Sequence, residues 1–291
     1  MKQTGWLLDA SVNHERRALT LWIKVDGKTQ GYTYYRFHPQ LFVSTSALDN
    51  QDWSERSLLR SILAHEDVVK VDIVRRFTRV YDDEPSRVLR VFTEVGAQYD
   101  VARDLEQLPD ATVFHADIEP VQQFFIDHKI FPFGRVVFET ENGVVTHIDC
   151  IDNREDAEYD TPYLEEMGIE VLIDSEGLFP QLSDPIHHIE VYNGMETIRI
   201  EHPDEGKMLR DLQREIERID PDVIVTRGGD DHLFRYLSMR AKVNDFELVF
   251  SRTGHALDVP EKEPNIFWQY NQIVYRSGNQ VMFDGRLHID R

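Results

Sequence analysis

Asp174 and Glu176 close the hydrophobic run Ile169-Glu170-Val171-Leu172-Ile173. Residues two apart on a strand point to one face, so this pair would present two carboxylates side by side. Oxygen donors in that arrangement suit Mg²⁺ or Mn²⁺. A two-metal nuclease needs about four such carboxylates, clustered so that two ions roughly 3.5–4 Å apart activate water and stabilise the leaving oxygen. Asp230 and Asp231 are the other acids in a position to contribute, with Asp230 the possible third metal ligand. Arg75, Arg76 and Arg79, three arginines within five residues, have phosphate contact as their chemistry, as does Arg227 beside the acidic turn. A solvated strand end accounts for the first three more simply.

The elements that must position these groups are legible in the second half. Asp220-Pro221 is a breaker pair that ends a helix marked by Met208, Leu209, Leu212, Ile216 and Ile219. Val223-Ile224-Val225-Thr226 has the composition of a strand buried on both faces. Gly228-Gly229 permits a sharp turn, and Leu233, Phe234 and Leu237 follow at helical spacing. Asp230 and Asp231 would then lie on the turn rather than on the helix face. Before this unit, Asp184 to Val191 reads as a strand, Asn193-Gly194 as a turn and Thr197 to Ile200 as a third strand. His187 and His188 are adjacent, so on a strand they face opposite sides and cannot chelate one ion together.

The first half alternates similarly. Strands are expected at Trp6–Ala10, Ala18–Val25, Tyr32–Phe37 and Leu41–Ser44, with a hairpin turn at Asp26-Gly27. A helix over Asp52–Ala64 leads to strands at Val68–Val74 and Val88–Phe92. A helix over Tyr99–Leu108, a strand at Ala111–His115 and a helix opened by Asp117-Ile118-Glu119-Pro120 follow, the acid acting as cap. Arg135 to Cys150 reads as a hairpin turning at Glu141-Asn142-Gly143. Tyr32, Tyr34, Tyr35, Phe37 and Phe42 could form a base-stacking platform. Core packing is the preferred reading, because aromatics are good strand formers.

Asp152 to Glu166 holds seven acids against one base, Arg154, and contains Pro162, which reads as a surface linker. The expected organisation is α/β: an α+β domain over 1–150, an acidic linker over 151–168 and a mixed-sheet domain over 169–291. At 291 residues with 41% hydrophobic and 29% charged residues, the chain can bury real cores. No apolar run approaches the ~20 residues that cross a bilayer, and no signal-peptide core follows Met1, so the expectation is a cytoplasmic protein with no membrane partner. A single cysteine, Cys150, excludes a disulfide framework and a cysteine metal cluster. The net charge of −21 argues against a simple nucleic-acid binder without excluding a local basic groove.

The wording of four segments is more specific. Asp220-Pro221-Asp222-Val223-Ile224-Val225-Thr226, followed by Gly229-Asp230 and Tyr236-Leu237, resembles the second exonuclease motif of family B DNA polymerases, archaeal ones especially. Asp174-x-Glu176 with Asp184-Pro185-Ile186 resembles the first motif and its sequel. Residues 117–132, ending Phe125-Ile126-Asp127-His128-Lys129-Ile130-Phe131-Pro132, resemble the close of that family's N-terminal domain. Gly285-Arg286-Leu287-His288-Ile289-Asp290 resembles the strand after the second motif. The resemblance implies an N-terminal domain and a ribonuclease H-like 3′–5′ exonuclease domain, incomplete at its C-terminal end, with polymerase motifs beyond. The chain is therefore expected to be the front piece of a polymerase, from a split gene or a truncation, with the C-terminal polymerase portion as a partner.

That alignment puts Gly228 where the family has Asn and Leu233 where it has a metal-binding Asp. The fourth carboxylate would lie past the end of the chain. The pattern is closest to the archaeal subgroup with degenerate motifs, which also carries an acidic linker ending Pro-x-Leu, here Pro162-Tyr163-Leu164. The implied Mg²⁺ or Mn²⁺ is expected to be absent or weakly held, by Asp174, Glu176 and at most Asp230. The family's template-uracil pocket uses Pro-Tyr where this chain has Pro39-Gln40, so the resemblance does not carry uracil sensing over. Three functions follow: an inactive proofreading region that holds single-stranded DNA template or primer, a residual metal-dependent 3′–5′ exonuclease, or an acidic protein-interaction module.

Overall fold

The computed structural model describes residues 1–48, 53–156, 158–175, 177, 180–194, 196–257, 259, 266–269, 273–276 and 280–291. The chain divides into two units, Met1–Pro162 and Tyr163–Arg291. In chain order the first holds β1 (Lys2–Asn13), β2 (Ala18–Val25), β3 (Lys28–Tyr34), β4 (Gln40–Ser44), α1 (Trp53–Leu63), β5 (Val68–Arg76), β6 (Ser86–Thr93), α2 (Gln98–Leu105), β7 (Thr112–Phe114), α3 (Pro120–His128), β8 (Arg135–Glu141) and β9 (Val144–Cys150). Strands β1-β2-β3-β9-β8 close into a barrel around Leu7, Leu21, Tyr32, Phe124 and Phe138.

The residues between the third barrel strand and α3 build a separate layer. Its strands run in the order β5-β6-β4-β7 with every neighbouring pair antiparallel. With α1 and α2 this is a β-α-β-β-α-β arrangement. Leu41, Val43, Leu89 and Val91 face both helices in one apolar cluster with Ile62, Val101 and Leu105. The alternate residues of the same strands face the other way.

Several boundaries differ from the expectations. The strand read at Tyr32–Phe37 runs Lys28–Tyr34, because the two-residue turn at Asp26 and Gly27, both with positive φ, fixes the pair Val25↔Lys28. Phe37 leaves the strand yet stays 3% exposed in the barrel core beside Tyr32 and Tyr34. Phe42 does not join them; it is half-buried on the outer face of the four-stranded sheet. The acid expected to cap α3 makes no capping bond. Glu119 instead accepts a 2.6 Å hydrogen bond from Tyr99 Oη, and Pro120 starts the helix, where its missing N–H costs nothing.

The second unit holds β10 (Glu166–Ile173), β11 (Ile186–Asn193), β12 (Glu196–Ile200), α4 (Glu205–Ile219), β13 (Val223–Thr226), a π-helical turn (Gly229–Leu233), α5 (Phe234–Val243), β14 (Ile266–Gln269), β15 (Ile273–Arg276) and β16 (Leu287–Asp290). Its main sheet has the order β12-β11-β10-β13-β16, antiparallel across the first three strands and parallel from β10 through β16. This is the mixed ribonuclease H-like order implied by the resemblance. Strand β10 starts at Glu166, inside the stretch read as linker, because pairing with Val223 rather than hydrophobicity sets its start. No helix among the described residues is long and apolar enough to cross a membrane.

Glu205, in the first turn of α4, ties three elements of this unit together. Its oxygens accept from Arg240 Nε (2.8 Å) and Nη2 (2.6 Å) on α5, from the Ile186 amide (2.9 Å) on β11 and from Asn244 Nδ2 (2.6 Å). Burial works to raise its pKa, but Arg240, the Ile186 amide and Asn244 outweigh it and hold the carboxyl below its ordinary value. A depressed carboxyl contributes stability above its ordinary pKa and loses it as pH falls through the lowered value. Glu205→Gln should cost about 3 kcal/mol at neutral pH, the scale of a broken buried pair. It should also flatten the acid limb of a urea-midpoint-against-pH curve; an unchanged limb would show that Glu205 is not a source of it.

Candidate functional site

The segment from Asp220 to Leu237 is anchored at its start by charge. Asp220 takes a left-handed conformation (φ 46°) that ends α4, its N–H donating to Ile216 O at 2.9 Å. Asp222 is 1% exposed, so its carboxylate must be paired within the fold. One oxygen lies 3.2 Å from Arg252 Nη2 and the other accepts from the Glu165 amide at 3.0 Å. Arg252 Nε and Arg286 Nη2 share one oxygen of Asp220, at 3.0 and 2.8 Å. Arg286 also donates from Nε to Pro221 O at 3.0 Å and from Nη1 to Phe250 O. Burial and the neighbouring Arg252 pull the Arg286 pKa down, with Asp220 and Asp222 opposing. The Asp-Pro-Asp and Gly-Arg segments therefore meet as a clamp on the start of β13. Arg252 was invisible to sequence reasoning, having no motif of its own.

The acidic turn is itself helical, with Asp230 and Asp231 in its first turn. Gly228, with φ 70°, precedes a π-helical turn in which the His232 and Leu233 amides both donate to Gly228 O at 2.9 Å. A Cβ on Gly229 would fall 2.1 Å from Thr226 Oγ1 and 2.7 Å from His288 Nε2, so close approach, not backbone angle, requires that glycine. Asp290 accepts from the Asp230 amide at 3.1 Å. Burial raises its pKa, but the amides of Gly229, Asp230 and Gly228 prevail and hold the carboxyl below its ordinary value, as expected for an acid at a helix N-terminus.

His288 connects the turn to β16. Its Nε2 lies 2.8 Å from Thr226 Oγ1 and its Nδ1 3.3 Å from Asp230 Oδ1. Asp230 Oδ1 also accepts from the Val281 amide at 2.7 Å. The carboxylate named as a possible metal ligand is thus engaged by groups on and before β16. The signal that could have found this network was present in Gly285-Arg286-Leu287-His288-Ile289-Asp290, whose polar residues all bond back to residues 220–230.

Of the other residues named from sequence, Asp174 follows the end of β10, exposed, its amide donating to Pro185 O at 2.9 Å. Glu176 lies outside the described residues. Tyr236 Oη donates to Asp184 O (2.8 Å) and Arg240 Nη1 to Ser183 O (2.9 Å), so α5 is bound to the segment that pairs with Asp174. Leu233 is 8% exposed within the apolar core that holds Met167, Ile169, Phe234 and Leu237, and Ile173 packs against that core. His188 is buried and His187 exposed, as adjacent strand residues should be. Among the described residues no three His, Cys, Asp or Glu side chains converge to hold a metal ion. Arg227 is exposed and lines a shallow cavity with Glu170, Tyr192 and Arg291. Arg75, Arg76 and Arg79 are exposed in the first unit, at and just beyond the end of β5.

No family model matches the chain. It is 24% identical over 306 residues to DNA polymerase 2 of Aeropyrum pernix, an alignment covering 98% of this chain and 36% of that protein. Its fold is similar to that of the family B DNA polymerase from the hyperthermophilic archaeon Pyrobaculum calidifontis, with a TM-score of 0.68 and 22% identity over 99% of this chain and 36% of that one. The chain therefore spans about a third of the length of the curated relative it matches, the N-terminal third, and its resemblance to archaeal family B polymerases extends from the motifs to the fold.

The turn geometry separates two glycines. Gly229→Ala should cost about 3 kcal/mol, since its methyl meets Thr226 and His288 in a packed site. Gly228→Ala meets open space and should cost only the left-handed backbone penalty, about 1 kcal/mol. Gly228→Asn should cost less, because Asn tolerates that conformation. Urea melts of the three variants check the order.

Proposed function

We propose that this chain is the N-terminal and exonuclease-like part of a family B DNA polymerase, with an inactive proofreading site and a retained role in holding single-stranded template or primer. The observation that carries this reading is the division of labour within the second motif. Its structural residues, Asp220, Asp222, Gly229 and Thr226, are all engaged with Arg286, His288 or Arg252. Leu233, at the position where the family has a metal-binding acid, is instead part of the apolar core. Asp230, the nearest substitute, is held by His288 and the Val281 amide.

The donor set among the described residues does not fit a two-ion centre, Glu176 lying outside them. Among the described residues Asp174 offers a hard cation one exposed carboxylate, and Asp230 is engaged by His288 and the Val281 amide. A two-ion centre would supply the hydroxide and stabilise the leaving 3′ oxygen, so this reading expects no cutting. On this reading the fold holds a strand end and does not cut it.

The test is end-labelled single-stranded DNA incubated with the chain and Mn²⁺. The expected outcome is full-length oligonucleotide throughout, together with measurable binding that Asp174→Ala leaves intact. Progressive shortening that disappears in Asp174→Ala would replace this reading with a residual 3′–5′ exonuclease.

A further inference from the structure

One surface outside the motifs has the chemistry to hold a strand. The four-stranded sheet of the first unit buries one face under α1 and α2, and its other face carries two aromatic rings on its two central strands. Phe92 on β6 has Lys70 Nζ 5.2 Å and the Arg90 guanidinium 5.0 Å from its ring centroid. Phe42 on β4 has the Arg76 guanidinium at 5.6 Å and His115 edge-on at 5.0 Å. Both rings are half-buried, where an outward strand position would ordinarily hold a polar side chain.

The register sets their spacing. Gln40 pairs with Phe92 and Phe42 pairs with Arg90, so the two rings are diagonal neighbours, roughly 7–8 Å apart at the backbone. That places them to take two successive unstacked bases. Three cations, Lys70, Arg76 and Arg90, stand on this face, Arg75 pairing with Arg87 on the opposite one, and two acids lie beside them. Asp72 is paired to Arg90 through two 2.8 Å bonds, and Asp127 accepts from Gln40 Nε2 at 2.8 Å. In a chain of net charge −21, a locally cationic aromatic face is the reverse of its surroundings.

We infer that this face binds single-stranded nucleic acid, Phe42 and Phe92 each stacking one base while Lys70, Arg76 and Arg90 meet the phosphates. The assignment rests on the reading of the chain as a holder of single strands, and it names the surface and its residues. Aromatic rings flanked by cations bind strands in this way because every base has a π-face, so the contact is tolerant of sequence. A β-α-β-β-α-β sheet with aromatics on its central strands is an established platform for such stacking. Duplex is disfavoured, since its base faces are already stacked on one another.

The experiment uses the full 291-residue chain and fluorescence anisotropy with labelled oligo-dT and oligo-U of roughly 12 nucleotides, within the span such a surface covers, and a duplex of equal length. Both single strands should bind more tightly than duplex, and the stronger of the two identifies DNA or RNA as the source. Phe42→Ala and Phe92→Ala should each weaken binding roughly ten-fold. Arg76→Ala should lower the slope of log affinity against log salt by about 0.7. Phe92→Trp should retain binding and show quenched indole fluorescence on saturation, a signal that a purely structural role would not give. Unfolding midpoints of every variant verify that the fold is intact. Wild-type binding unchanged by both alanine substitutions and by salt overturns this assignment while leaving a single-strand site elsewhere in the chain. A wild-type chain that binds no single strand removes the assignment and the underlying reading together.

Discussion

A carboxylate that is almost wholly out of water cannot be left unpaired, and Asp222 is such a group. It stands at the start of β13, the strand between β10 and β16, where a shift of one residue would turn every side chain to the wrong face. Arg252 and the Glu165 amide pair it, and Arg252 and Arg286 are in turn held by Asp220. Removing one partner from such a cluster leaves an uncompensated buried charge, a loss of about 3–5 kcal/mol and a large fraction of a domain's stability. The pairings join residues about thirty to sixty apart in the sequence. The turn leading into the C-terminal strand thus supplies one of the charges that close this cluster, through Arg286.

The same economy explains the turn after β13. The N–H groups of Gly228, Gly229 and Asp230 point at Asp290, so the orphan donors of a helix start are satisfied by a carboxylate from the neighbouring strand. Thr226, His288 and Asp230 complete a chain of polar contacts in which each member fixes the next. None of these contacts needs an ion. The loop is shaped by Asp220, Asp222, Thr226, Gly229, His288 and Asp290 through these contacts alone.

Much of the fold was legible because its signals are local. Asp26-Gly27 and Asn142-Gly143 mark two-residue turns that require positive φ, and both occur where expected. The apolar face of α4 and the β-branched run of β13 gave their elements directly. Starts of elements were less legible: β10 begins at Glu166 and α4 at Glu205, where pairing with Val223 and an Asp204 cap decide, not hydrophobicity. The ion-pair clamp was illegible for a different reason. Arg252 and Glu205 are ordinary charged residues in sequence, and only the fold brings them to Asp222 and Arg240. Phe42 reads like its aromatic neighbours, yet the strand's alternation sends it outward while Tyr32 and Tyr34 go inward.

Leu233 shows what an apolar side chain contributes at the end of the acidic turn. Burying a leucine contributes about 1.5–3 kcal/mol, and here it joins Met167, Ile169 and Phe234 in a continuous core. An aspartate at the same point would need a partner charge, which in a metal site the ions themselves supply. Without the ions its carboxyl is either buried unpaired or protonated, and both are costlier than the leucine. Asp290 and the Asp220–Arg286 clamp hold the loop without help from Leu233.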